Sequence, residues 1–180
     1  MSTPPSVWCP EPQWWHAATE EGAEDEVGEL AGAFIRALQP EIVVETGTYV
    51  GQTAACIGRA LAANGHGHLW TIEIDADLAA VADEACRGLP VTVIQGSSLD
   101  WQPPHPIGFA WIDSGDAATR AQEIRDWLPL FAPHAVIGVH DTNPLHSPVG
   151  TAVAGLAAEG LITGITLHTP RGVSFFQVAS

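Results

Sequence analysis

Lysine is missing from this chain of 180 residues, and six arginines stand against 21 acidic side chains. The formal net charge of −15 argues against a phosphate-backbone partner, because non-specific nucleic-acid binding needs clustered Lys and Arg. An anionic membrane surface is disfavoured on the same ground. Cysteine is scarce as well. Cys9, Cys56 and Cys86 are odd in number and without CxxC spacing, so they read as reduced thiols rather than a disulfide framework or zinc site. No apolar run approaches the roughly 20 residues of a membrane span. The opening MSTPPSVWCPEP has neither the charged nor the apolar region of a signal peptide. These absences predict a cytoplasmic protein without a nucleic-acid or membrane partner.

What is present suits one domain with one core: 46% of the residues are hydrophobic, well above a disordered composition. Residues 1–19, rich in Pro and Trp, read as an irregular arm ahead of a single domain over 20–180. Val27, Leu30, Ala31, Phe34, Ile35 and Leu38 follow the i, i+3, i+4, i+7 rule of an amphipathic helix. Acidic residues (Glu20, Glu21, Glu24, Asp25, Glu26) gather at its start, and Pro40 stops it. Short apolar runs at 41–45, 69–74, 91–95, 107–112 and 135–140 then alternate with helical patterns at 51–63, 76–86, 117–128 and 148–159. Such alternation predicts an α/β fold, a parallel sheet with helices on both faces. LITGITLHT and GVSFFQVA, joined by PRG, predict a closing hairpin.

The stretch VVETGTYVGQT carries the first chemistry. Gly47 lets the backbone turn sharply after a strand, and Gly51 would bring a helix start close to a ligand. The order Glu45-Thr46-Gly47-Thr48-Tyr49-Val50-Gly51 is not the GxGxxG of dinucleotide binders. Glu45 would repel a pyrophosphate but hold an ammonium, which points to an amino-acid ligand. A ligand-free turn is the competing reading. The second strand ends in TIEID, placing Glu73, ahead of Asp75, where a carboxylate accepts from both ribose hydroxyls; capping the next helix is its alternative role. After the third strand, Gly96, Ser97 and Ser98 suit an adenine edge. An amino-acid end, a ribose and an adenine together describe S-adenosylmethionine.

On VVETGTYVGQTA and TIEID, the chain resembles class I S-adenosylmethionine-dependent methyltransferases, and within them the small-molecule, catechol-type O-methyltransferases. The resemblance spans about residues 25–180. It implies a Rossmann-like, doubly wound sheet of seven mostly parallel strands with the last antiparallel. By position, it implies that Glu45, Thr46, Gly47, Thr48 and Gly51 line the methionine moiety, with Thr53 on its carboxylate. Glu73 with Ile74 would hold the ribose, Gly96, Ser97 and Ser98 the adenine, and Asp113 would border the cofactor.

The fourth and fifth strands end in FAWIDSGD and VIGVHDTNP, so Asp113 and Asp141 share the cofactor's edge of the sheet. In catechol-type enzymes aspartates at these places bind a divalent cation such as Mg²⁺, with an Asn directly after the second. Here Thr142 follows Asp141, Asn143 comes one place later, and the family's lysine has no counterpart. Asp113 and Asp141 are therefore the expected metal ligands in a pattern that departs from the family's. His140, near pKa 6.5 if unperturbed, is the alternative base, with Asp113 as its catalytic companion; a strand-end core histidine is the other reading. His146 is a further candidate. Trp8, Trp14, Trp15 and His16 either close over the site or clamp the arm to the core. The short segment after the fifth strand leaves no cap domain, which suggests a bulky acceptor or help from a second subunit in a homodimer.

The expected function is methylation of a small molecule at a hydroxyl, in a secondary metabolite or sugar. Two other readings stand beside it. One is a dinucleotide-dependent oxidoreductase; the other is a non-catalytic cofactor-binding or oligomerisation module with this fold.

Overall fold

The apolar stripe after the arm becomes α1 (Asp25–Leu38), and Val27, Ala31 and Ile35 are its buried face. Gln39 takes a left-handed conformation just before Pro40 and ends the helix. The computed structural model describes residues 5–19 and 22–179. Glu20 and Glu21, expected in the acidic approach to α1, lie outside the described residues.

Strands and helices then alternate as expected. They are β1 (Ile42–Thr46), α2 (Gln52–Asn64), β2 (His68–Glu73), α3 (Ala76–Ala85) and β3 (Val91–Gln95). After them come β4 (Ile107–Ile112), α4 (Ala117–Trp127), β5 (Phe131–His140), α5 (Val149–Ala158), β6 (Ile162–Leu167) and β7 (Val173–Val178). The 7-stranded sheet has the order β3-β2-β1-β4-β5-β7-β6. Neighbours through β5 are parallel, and β7 runs antiparallel to both β5 and β6. One boundary differs. β5 begins at Phe131 rather than at 135, because Phe131 pairs with Ile107 before a register shift resumes at Phe109 and Val136.

Alternation along each strand sends successive side chains to opposite faces. Val43, Phe109, Trp111 and Phe175 meet Val27, Ile35, Ile57 and Leu61 of α1 and α2. Val44, Ala110, Ile112 and Phe176 meet Ile124, Trp127, Val153 and Leu156 of α4 and α5. Helices therefore cover both faces. The chain reverses direction across the sheet between β1 and β4, where an open α/β sheet leaves a crevice at the carboxyl ends of its strands. No helix among the described residues is long and apolar enough to cross a membrane.

Trp111 fills the centre of the first layer because Gly138, its neighbour on β5, has no side chain; a Cβ there would run into the indole ring. Gly138→Ala should therefore cost about 1–3 kcal/mol in urea unfolding, the usual penalty of overpacking. Gly155→Ala, inside α5 with open space around its Cα, should instead stabilise by roughly 0.5–1 kcal/mol. Equal effects from the two would contradict this packing.

Candidate active site

Gly47 leaves β1 at φ +76, and a side chain there would strike the Asp113 carbonyl at the end of β4. Glycine is required by this close approach of two strand ends. Next to it opens a cleft of about 470 Å³. Its walls come from the loops after β1, β2, β3, β4 and β5, joined by Gly22 and Ala23 ahead of α1 and by Arg171 in the β6–β7 turn.

Glu73 is the best-positioned acid along this wall. One oxygen accepts from the Tyr49 N–H at 2.7 Å and the other from the Asp75 N–H at 3.0 Å. Each oxygen keeps a further lone pair for a ligand. The capping role belongs to Asp75, whose carboxylate accepts from the N–H groups of Asp77 and Leu78. Gly96, Ser97 and Ser98 line the cleft beside Glu73 together with Ile74 and Leu99, and the Gly96 N–H donates to the Glu73 carbonyl at 2.8 Å. Thr48 and Thr53 line the end nearest Gly47, beside Gln52.

Three expected contacts fall elsewhere. Glu45 is 1% exposed, lies beneath the cleft lining, and accepts from Thr71 Oγ1 at 2.6 Å. Burial, with the nearby charges of Asp113 and Glu73, raises its pKa to about 8. It is therefore largely uncharged at neutral pH and unsuited to holding an ammonium. Thr46 is buried and donates to Glu123 at 3.1 Å. Gly51 is glycine because α3 packs against it: a Cβ would lie 3.0 Å from the Ala82 Cα. Its φ of +84 at the start of α2 and this packing both call for glycine without a ligand.

The acceptor end is an ionic cluster. Arg120, 5% exposed on α4, donates to the carbonyls of Ser114 and His140. Its Nη2 lies 3.1 Å from both Asp113 Oδ1 and Asp141 Oδ2. Arg171 donates from Nε to Asp141 Oδ1 at 2.7 Å and from Nη1 to the Gly22 carbonyl at 2.7 Å. His140 is fully buried; its Nε2 meets Glu24 at 2.8 Å, and its Nδ1 lies 3.2 Å from Asp113 Oδ2. That second approach is an ion-pair contact without hydrogen-bond geometry. Burial opposes a charge on His140, but Asp113, Glu24 and Asp141 outweigh it and raise its pKa to about 10. Burial likewise works against the Asp141 carboxylate, yet His140, Arg171 and Arg120 bring its pKa down to about 2. Glu24 is lowered too, by His140 and the Arg171 N–H against its own burial.

This donor set does not fit Mg²⁺. Asp113, His140 and Asp141 do present ligand atoms within 4.8 Å of one another. However, each carboxylate oxygen of the two aspartates faces a guanidinium or imidazole nitrogen, so a divalent ion between them would sit against three positive groups. Asn143 is engaged elsewhere, donating to the Pro170 carbonyl in the β6–β7 turn and accepting from the Leu145 N–H of its own loop. His140 departs from the expected base in two respects: it does not border the cleft, and it holds its proton at neutral pH. His146 does not line the cleft, though its Nε2 lies 3.6 Å from Asp141 Oδ1. The arm's aromatics do not reach the cleft. Trp8 stacks on His168 with ring centroids 3.9 Å apart and donates to the Thr169 carbonyl. Trp14 is exposed, and His16 pairs with Glu26 at 2.6 Å.

Glu24, Glu123, Arg120 and Arg171 escaped the sequence reading. Glu123 accepts from Thr46, Ser98 and Ser114, so it joins the loops after β1, β3 and β4 from below. The available signal was scarcity: with only six cations in the chain, an arginine in a hairpin turn deserved a role beyond the turn.

A methyltransferase-domain family model matches residues 44–142 of the chain. Solved structures share the fold. The O-methyltransferase TomG from Streptomyces achromogenes, involved in tomaymycin synthesis and crystallised with S-adenosylmethionine, is 21% identical. Its TM-score is 0.72, over 89% of this chain and 83% of that one. A methyltransferase from Podospora anserina bound to S-adenosylhomocysteine gives 0.75 at 16% identity, covering 89% and 81%. An O-methyltransferase from Bacillus cereus, also with S-adenosylhomocysteine, gives 0.72 at 18% identity, covering 90% and 84%. No curated protein matches the sequence.

The shifted groups predict how stability follows pH. His140 is raised from an ordinary 6.5, so its contribution is full below about 6.5 and is lost as pH rises through about 10. Glu45 is raised from 4.5, so its contribution is lost between about 4.5 and 8. Asp141, lowered from 3.8, loses its contribution as pH falls toward 2. Unfolding free energy should therefore peak in mildly acid solution and fall toward pH 10. Glu45→Gln should remove the fall between about 4.5 and 6.5 and lessen it up to about 8, and His140→Gln should remove the fall between about 8 and 10 and lessen it from about 6.5. Alkaline limbs as steep in both variants as in the wild type would contradict the assignment.

Proposed function

This chain belongs to the methyltransferase-domain family, and on that premise we propose that it moves a methyl group from S-adenosylmethionine to a hydroxyl of a small molecule. The observation that carries the reading is Glu73, whose two oxygens are oriented by backbone N–H groups on the wall of the cleft beside the Gly47 turn. In this reading the ribose hydroxyls donate to Glu73. The adenine lies along Ile74, Ser97, Ser98 and Leu99, and the methionine end along Gly47, Thr48, Gln52 and Thr53. A sulfonium is already activated, so the protein contributes mainly position. The acceptor oxygen's lone pair forms the new O–C bond as the C–S bond breaks, and that electron pair remains on sulfur as a thioether. The acceptor's proton passes to Asp113, the partly exposed carboxylate of the cleft, and from there to water. His140 is assigned a structural role, joining Glu24 to the end of β5.

The net charge of −15 supports a small-molecule acceptor over nucleic acid or an anionic membrane, and a cytoplasmic setting is proposed with it. A bulky acceptor or a second copy in a homodimer would cover the open side. A dinucleotide-dependent reaction is disfavoured by the Glu45–Gly51 pattern.

Calorimetric titration tests the reading. S-adenosylhomocysteine should bind and raise the thermal midpoint by mass action. Glu73→Ala should weaken that binding by about 1–3 kcal/mol, the loss of charge-assisted bonds. Binding of NAD with indifference to S-adenosylhomocysteine would overturn it.

A further inference from the structure

We infer that Arg120 and Arg171 take the place of the divalent cation of catechol-type methyltransferases, so that acceptor activation in this protein runs without a metal. The inference rests on the methyltransferase reading above and concerns the same cleft.

Charge and geometry carry it together. Two carboxylates converge at the ends of β4 and β5, and two close, uncompensated carboxylates repel each other. In this chain two guanidiniums, whose summed charge equals that of one divalent ion, compensate the two aspartates, while the protonated His140 between Asp113 and Glu24 balances the charge of Glu24. Arg120 bridges the pair, with Nη2 3.1 Å from an oxygen of each aspartate. Arg171 takes the remaining oxygen of Asp141 through Nε. Neither side chain is a mobile surface group. Arg120 is held by the carbonyls of Ser114 and His140, and Arg171 by Gly22 O while its own N–H is accepted by Glu24. A cation entering between Asp113 and Asp141 would have to displace both and would leave the buried Arg120 and the partly buried Arg171 uncompensated, which is strongly unfavourable.

The arrangement also does chemical work. Arg120 and Arg171 both border the cleft beside Asp113 and Asp141. An arginine stays charged at every relevant pH. A fixed positive charge beside an oxygen that is losing its proton stabilises the developing negative charge. A metal ion can also chelate two neighbouring acceptor oxygens, as it does with a vicinal diol. A guanidinium already tied to carboxylates lacks that open coordination. Acceptors with a single hydroxyl are therefore as suitable here as catechol-like pairs.

The test is metal binding in itself, with MnCl₂ as the probe. Chelator-treated wild type should show no saturable Mn²⁺ binding up to millimolar concentration, and EDTA should leave its thermal midpoint and its affinity for S-adenosylhomocysteine unchanged. Arg171→Met removes the nearest partner of Asp141 Oδ1 and one positive charge. The folded variant, checked by circular dichroism, should acquire Mn²⁺-dependent stabilisation of several degrees. Saturable submillimolar Mn²⁺ binding by the wild type, lost in Asp141→Asn, overturns the inference. A folded Arg171→Met protein indifferent to Mn²⁺ also counts against it. If that variant does not fold, the wild-type titration decides alone. Failure to bind S-adenosylhomocysteine, by contrast, refutes the methyltransferase reading and is seen separately in the same experiment.

Discussion

A buried ionic cluster must balance its own charge, and in this protein that constraint shapes the site. Glu24, Asp113 and Asp141 lie close together at the carboxyl edge of the sheet, where water cannot solvate them well. Their partners are Arg120, Arg171 and a protonated His140. Breaking one member of such a set is costly because it strands its partner's charge. The cluster is therefore an all-or-nothing device.

Its members come from distant parts of the chain. Glu24 lies just before α1, Asp113 after β4, Arg120 in α4, His140 and Asp141 at the end of β5, and Arg171 in the β6–β7 turn. The same bonds that neutralise the carboxylates tie the segment just ahead of α1 and the closing hairpin to the centre of the sheet. Arg171 holds Gly22 through its carbonyl, and Gly22 and Ala23 then form part of the cleft wall. Electrostatic balance and cleft architecture are one arrangement. Three residues after Arg120 on α4, Glu123 performs a related task with neutral partners, gathering three hydroxyls beneath the loops.

The fold was largely legible because local patterns record it. Alternation of apolar runs with helical periodicity placed β1 to β5 and their helices, and PRG marked the last hairpin. The start of β5 was missed because Pro133 and the exposed His134 interrupt a strand that only its pairing with β4 reveals. In the cleft, Gly47, Glu73 and the serines could be anticipated, since strand-end positions have fixed directions. Glu45 could not, because a one-residue difference along a strand changes which face a side chain joins. Arg120, Arg171 and Glu24 were invisible for another reason. Their meaning lies in contacts across 21, 30 and 116 residues, and no local pattern encodes those.

The central claim joins a cofactor site at Glu73 to an acceptor site whose cations belong to the protein. A crystal structure with S-adenosylhomocysteine, grown in manganese chloride and examined for anomalous scattering, tests both halves at once. The account predicts ribose hydroxyls on Glu73, Arg120 and Arg171 still on Asp113 and Asp141, and no anomalous peak between those aspartates. A manganese peak there with the guanidiniums displaced, or a cofactor away from Glu73, would contradict it.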